Sequence, residues 1–170
     1  MPSPPLETAD LTLRPPRHRV SPRAVRYWTL RAAAGWLVLL GAELAWLLIG
    51  GGAHRAPLLA LAITALLAVV HVSSMPRWRY RVHRWEATSH AVYTQSGWFD
   101  QERRIAPLSR IQTVDSERGP FEQLLGLATV TVTTASAAGP LRIDALDRAT
   151  AEQLVDELTA RTEATEGDAT

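Results

Sequence analysis

Apolar residues in this chain are first gathered into two unbroken runs and then dispersed into alternation. Ala32–Ala53 and Ala56–Met75 are almost wholly apolar and lie nearly back to back. A helix rising about 1.5 Å per residue needs roughly 20 residues to cross about 30 Å of hydrocarbon. Each run therefore predicts a spanning helix, with the Gly-rich Gly50–Arg55 connection as a tight turn. Beyond Pro76 the period changes. Trp78, Tyr80 and Val82 alternate with Arg79, Arg81 and His83, which predicts a strand. Further strands are predicted near Ala91–Gln95, Trp98–Ile105, Arg110–Glu117, Ala128–Thr134 and Leu141–Ile143. Turns fall at Ser96-Gly97, Gly119-Pro120 and Ala137-Ala138-Gly139-Pro140, and Phe121–Leu125 reads as a short helical turn. In the clearest strand Val130 and Val132 face one way, and Thr129, Thr131 and Thr133 the other. The last element is an amphipathic helix with Asp147 as N-cap and Leu154, Val155 and Leu158 on one face.

This order predicts an α+β chain: an N-terminal two-helix transmembrane hairpin (27–76), then a small antiparallel β-barrel or sheet capped by the C-terminal helix (77–162). Residues 1–26 hold six prolines among scattered charges and predict a disordered leader, while 163–170 should fray. The first apolar run is longer than a signal-peptide core and begins far from the N-terminus, so an uncleaved span is favoured despite the small residues Gly51-Gly52-Ala53.

Charge fixes an orientation. Arg14, Arg17, Arg19, Arg23, Arg26 and Arg31 precede the first run, and Arg77, Arg79, Arg81 and Arg84 follow the second, with only Arg55 between. Arginine-rich flanks stay inside, which predicts a multi-pass cell-membrane protein with both termini cytoplasmic. Trp28, Arg31, Arg77, Trp78, Arg79 and Arg81 then form the predicted membrane interface. Residues 85–170 carry 7 arginines against 14 acids, which argues against nucleic acid as a partner.

Within the runs, Ala56, Ala60, Thr64 and Ala68 recur every four residues, a face on which helix backbones can approach closely. Glu43 is the anomaly. A charged carboxylate near mid-membrane costs roughly 2.5–3.5 kcal/mol on insertion scales, so it should face protein. Counted from the outer turn, Thr64 lies at its depth, and His71 sits nearer the cytoplasmic side.

Catalysis finds no support. Cysteine is absent and the five histidines are scattered, so neither a triad, a thiolate or zincin metal site, nor a phosphate loop is legible. No cofactor, metal or small-molecule substrate is expected. His83 and His90 flank a predicted strand, and two ligands do not make a site.

The stretch Pro107-Leu108-Ser109-Arg110-Ile111-Gln112-Thr113-Val114-Asp115, then Gly119-Pro120, then Leu124-Leu125-Gly126-Leu127-Ala128-Thr129-Val130, resembles the signature of bacterial PH-like domains of the YdbS type. Ser96-Gly97-Trp98-Phe99 is similar to that family's upstream turn. The resemblance implies a pleckstrin-homology-type barrel capped by a helix and preceded by two membrane helices. Within the motif, Pro107 should end a strand, and Gly119 and Gly126 should serve sharp turns. Arg110 should lie at a membrane-proximal or partner-facing rim, or pair with Asp115 or Glu117.

The functional expectation is a non-catalytic, membrane-anchored PH-like module. It would act in protein–protein interaction or assembly, with a membrane protein or a second copy as partner besides the bilayer itself. The alternative is binding of anionic lipid headgroups at the inner leaflet through Arg77, Arg79, Arg81 and Arg84.

Overall fold

A computed structural model of the chain describes residues 15–50 and 55–167, with side chains described as far as residue 162. Two long helices, α1 (Ala24–Ile49) and α2 (Arg55–Val82), pack against each other. Both are long and apolar enough to cross a membrane. Their outer surfaces leave Leu37, Val38, Leu48, Leu59, Leu66 and Val69 bare, as lipid rather than water requires. Gly50 ends α1 by donating its N–H to the Trp46 carbonyl, so the first helix stops short of the expected Ala53. Residues 51–54 lie outside the described residues.

The strand expected over Trp78–Val82 is instead the last turns of α2. Pro76 lies inside this helix, where its missing N–H leaves a carbonyl one turn back without its usual donor. Side chains bond to other carbonyls in the same turns. Ser73 Oγ donates to the Val69 carbonyl at 2.7 Å, Ser74 Oγ to Val70 at 2.6 Å, and the Arg77 guanidinium to Ser73. The apparent alternation, Trp78 to His83, spans only six residues, too few to separate the two periods. One helical turn joins Arg79 to His83, whose N–H donates to the Arg79 carbonyl at 2.9 Å.

Strands then follow in two antiparallel sheets that do not close into a barrel. The first has the order β1-β2-β3-β4, from β1 (His18–Arg19), β2 (Arg84–Ala87), β3 (Ala91–Gly97) and β4 (Gln101–Pro107). The second has the order β5-β6-β7, from β5 (Ile111–Glu117), β6 (Leu127–Thr134) and β7 (Leu141–Asp147). A short helix, α3 (Pro120–Leu125), joins β5 to β6, and α4 (Arg148–Gly167) covers the second sheet. The core holds Val92, Leu127, Val130, Val132, Leu141 and Ile143 from the strands and Ala151, Leu154 and Leu158 from α4.

Three expectations change with these contacts. The predicted leader is partly folded: β1 pairs with β2, placing His18 opposite Trp85, and Val20, Ser21 and Ala24 are buried. Residues 1–14 lie outside the described residues. The β3–β4 turn falls one step later than Ser96-Gly97, because Gly97 is still paired, opposite Gln101. Asp147 ends β7 rather than standing free as a cap. Its Oδ1 accepts the Ser21 hydroxyl at 2.8 Å and lies 3.7 Å from the Arg23 guanidinium. Sequence position 20–24 is thereby stitched to the end of the last strand, and the hairpin's entry is part of the domain.

Candidate functional site

The hairpin meets the sheets at Trp28. This indole is 2% exposed, with the Arg79 guanidinium 4.7 Å from its ring centre and the His83 ring tilted against it at 4.9 Å. A cation over an indole face is attracted by the ring's quadrupole, and more so when water is excluded. Arg79 Nε donates to His83 Nε2 at 3.2 Å, and its Nη2 donates to Asp144 Oδ2 at 3.2 Å. Since Nε2 accepts, the ring proton resides on Nδ1, which donates to the Arg79 carbonyl at 2.8 Å. The imidazole is neutral. Burial, and secondarily the adjacent Arg79 charge, push its pKa down to about 4. Ala145, directly after Asp144, has φ 57°, and its carbonyl accepts the Ser21 N–H at 3.1 Å. This irregularity in β7 aims Asp144 at the foot of α2.

Beside Trp28 opens a polar cleft of about 660 Å³. Tyr27, Trp28 and Arg31 of α1 line it with Arg79 of α2, Glu117, Arg118, Gly119 and Glu122 of the β5–α3 corner, Thr129 of β6, and Arg142 and Asp144 of β7. Four arginines thus face three carboxylates. Glu122 is turned inward, accepting the Gly119 N–H and the Thr129 hydroxyl, each at 2.7 Å. That bond explains why Thr129, expected to face away from the core, is buried. Asp144 holds Arg79 and lies 3.7 Å from Arg142, which is also 4.0 Å from Glu117. Arg118 Nε donates to the Leu127 carbonyl at 3.1 Å, and Arg31 Nη1 to the Tyr27 hydroxyl at 3.2 Å. Neither Arg31 nor Arg118 forms an ion pair among the described residues.

The predicted interface residues separate. Trp28, Arg31 and Arg79 line the cleft. Arg77 lies along α2, beside an apolar groove of about 480 Å³ between the two helices. Arg81 is exposed, Trp78 is half exposed, and Arg84 reaches the Pro16 carbonyl at 3.4 Å. Arg77, Arg79 and Arg81 lie in the last turns of α2 and Arg84 in β2, so the four do not form one patch; at about 100° per residue, Arg79 points away from the face that Arg77 and Arg81 share. His83 and His90 are not neighbours: β2 runs between them, and His90 is exposed.

The family-motif residues serve mainly the fold. Pro107 ends β4, and Ile111 packs on the core. Gln112 and Arg110 are exposed. Arg110 sits at the end of β5 opposite the cleft and forms neither expected pair; Asp115 instead accepts the Thr113 hydroxyl at 3.1 Å. Gly126 adopts φ 67°, the left-handed conformation that suits glycine, and ends α3. Gly119 has an ordinary φ of −72°, so no backbone strain requires it there. Pro120 occupies the first turn of α3, where a missing N–H costs nothing. Sequence reasoning passed over Tyr27, Arg118, Arg142 and Asp144 as site residues. Tyr27 carried a signal in its place beside Trp28 in the expected aromatic belt, and Arg118 in its place immediately before the Gly119-Pro120 turn.

Inside the hairpin, Thr64 Oγ1 donates to Glu43 Oε1 at 2.8 Å, and Trp36 Nε1 donates to His71 Nδ1 at 2.9 Å. Among the described residues no group of three metal-ligating side chains converges.

Two apolar helices leading into paired antiparallel sheets with a C-terminal helix define a membrane-embedded PH-like module. The chain belongs to the bacterial PH domain family, whose model matches residues 32–162. It is similar to the UPF0699 transmembrane protein YdbS of Bacillus subtilis (strain 168), with 35% identity over 107 residues. That alignment covers 63% of this chain and 66% of the relative, just under two thirds of its length. No solved structure matches the chain. The family indicates no catalytic activity.

Proposed function

We propose that this protein is a membrane-anchored binding module that takes the phosphate of an anionic lipid headgroup into the cleft beside Trp28. Both termini would lie in the cytoplasm, as the arginine flanks of the two helices favour. One observation carries the reading: Arg31 and Arg118 border the same cleft without acidic partners among the described residues, at the level where a spanning hairpin leaves the bilayer. Arginine forks match phosphate oxygens in a bidentate manner, and Tyr27 adds a hydroxyl. Arg79 and Arg142 are held by Asp144 and supply positive potential rather than free forks. The fold itself does not carry the reading, since PH-like scaffolds host unrelated activities.

The test uses the full chain in neutral detergent, titrated with short-chain phosphatidylglycerol or phosphatidylcholine while its unfolding temperature is followed. The anionic lipid should stabilise in a saturable, salt-sensitive way, and Arg31→Gln with Arg118→Gln should weaken that effect at least about tenfold, as expected for charged hydrogen bonds of about 1.5–3 kcal/mol. Equal stabilisation by both lipids, or an unchanged response in the double variant, would sink it.

A second reading, assembly with another membrane protein or a second copy, is favoured by the apolar groove along the hairpin. Ala33, Leu37 and Leu40 of α1 and Ala68, Val69 and Val72 of α2 line it. Crosslinking in native membranes, with capture of what is joined, checks that reading. A chain that crosslinks to neither copy nor partner would remove it.

A further inference from the structure

We propose that the β3–β4 turn is a third membrane contact, an aromatic wedge that seats Trp98 and Phe99 in the interfacial layer of the phospholipid bilayer beside α2. Gly97 has φ 126°, and a Cβ built there would stand 1.8 Å from the Asp100 carbonyl oxygen. Only glycine closes this turn. The two rings that follow project together from its tip, with centroids 4.1 Å apart.

The tip is tied to a helix rather than loose in solvent. Trp78 Nε1 donates to the Trp98 carbonyl at 3.1 Å, and the Trp98 ring lies 5.2 Å from the His71 ring, tilted by 60°. His71 belongs to the apolar run of α2, four residues inside Met75, which is about 6 Å along a helix axis. While α2 spans the bilayer, a ring packed on His71 is carried below the headgroups. Phe99 is 83% exposed and faces away from the domain. In water this would be a costly apolar surface. At the headgroup–acyl boundary it is the position aromatic side chains prefer. The occupant is thus lipid, by continuity with the lipid-facing surface of α2. Asp100 stands next to the tip, so the wedge gains nothing from anionic headgroups and works by apolar burial.

The absence of cysteine makes the test direct. Phe99→Cys provides a unique thiol at an exposed position, and Ser136→Cys at the far end of β6 provides a water-facing reference. Each full-length variant is labelled with a polarity-sensitive fluorophore and reconstituted in phosphatidylcholine vesicles. The label at position 99 should be blue-shifted, quenched by lipids with a nitroxide on a shallow acyl carbon, and several-fold less accessible to iodide than the label at 136. High salt should leave the contrast unchanged. Equal iodide quenching at the two positions overturns the proposal. So does protection from iodide without quenching by nitroxide lipid, because that outcome means protein, such as a second copy, covers the tip. Neither result bears on the arginine cleft, which is read out with anionic lipid.

Discussion

Glu43 in the hairpin and Asp144 at its foot are both carboxylates beside α2, yet they are held differently. Glu43 has one hydrogen bond among the described residues, from Thr64, and its neighbours on α1 are bare apolar side chains. Asp144 holds Arg79 and Arg142 together, and Arg79 in turn covers Trp28 and engages His83. Lipid offers no competing hydrogen bonds, so a single partner suffices there to satisfy one oxygen. At the foot, water competes for every polar group, and the contacts are layered around a buried indole. Helix packing in the bilayer gains little from apolar burial, because lipid tails are as apolar as leucine. The junction gains a great deal. The mechanical link between anchor and domain is therefore expected at Trp28 rather than along the spans.

The sharpest way to break this contrast compares two tryptophans on one helix. Trp28→Ala removes a buried aromatic ring and should cost about 3–5 kcal/mol, whereas Trp46→Ala, 62% exposed on the same helix, should change stability little. Thermal unfolding in detergent, followed by protease sensitivity of the chain near Val82–His83, measures both. Similar effects from the two variants would mean that the junction is not the seat of coupling.

Legibility in the sequence divides along the same line. The spans were readable because hydrocarbon thickness fixes a length, and Thr64 could be matched to Glu43 by counting from the outer turn. Strands β3 to β7 were readable from alternation to within a few residues. The junction was not. Trp28 and Arg79 looked like ordinary interfacial residues, since nothing local says that a sheet 65 residues later brings Asp144 to Arg79. Residues 17–24 read as leader because Pro22 and the arginines around it carry no period, yet Ser21 meets Asp147 across 126 positions. Arg142 is likewise brought to the cleft by strand pairing, which is long-range information.

A second measurement titrates the junction. His83 is neutral and buried, with a pKa near 4 in place of its usual 6.5. Between these values the unfolded chain binds a proton that the folded chain refuses, so stability is complete above about pH 6.5 and falls as pH drops toward 4. The slope approaches about 1.4 kcal/mol per pH unit, and the total about 3 kcal/mol. His83→Asn should remove this component in denaturant midpoints recorded from pH 7.5 to 4.5, with the hairpin's own behaviour unchanged. A wild-type profile that rises with acidity would contradict a neutral imidazole packed under Arg79.

The smallest expected effect lies in the hairpin and tests how a lone polar pair behaves in lipid. Thr64→Val takes away the only hydrogen bond Glu43 makes among the described residues and should cost about 1–2 kcal/mol, the penalty for an unpaired buried polar group. Glu43→Leu has the opposite geometry. The Thr64 hydroxyl can turn to the carbonyl four residues back in its own helix, as threonines in membrane helices do, so no group is stranded. Its effect should be near zero or slightly stabilising, and the double variant should resemble Glu43→Leu alone. Steric trapping or unfolding in mixed micelles resolves differences of this size. If Glu43→Leu instead destabilises as much as Thr64→Val, the carboxylate contributes beyond its bond to Thr64, and the unpartnered Oε2 is where that contribution must be sought.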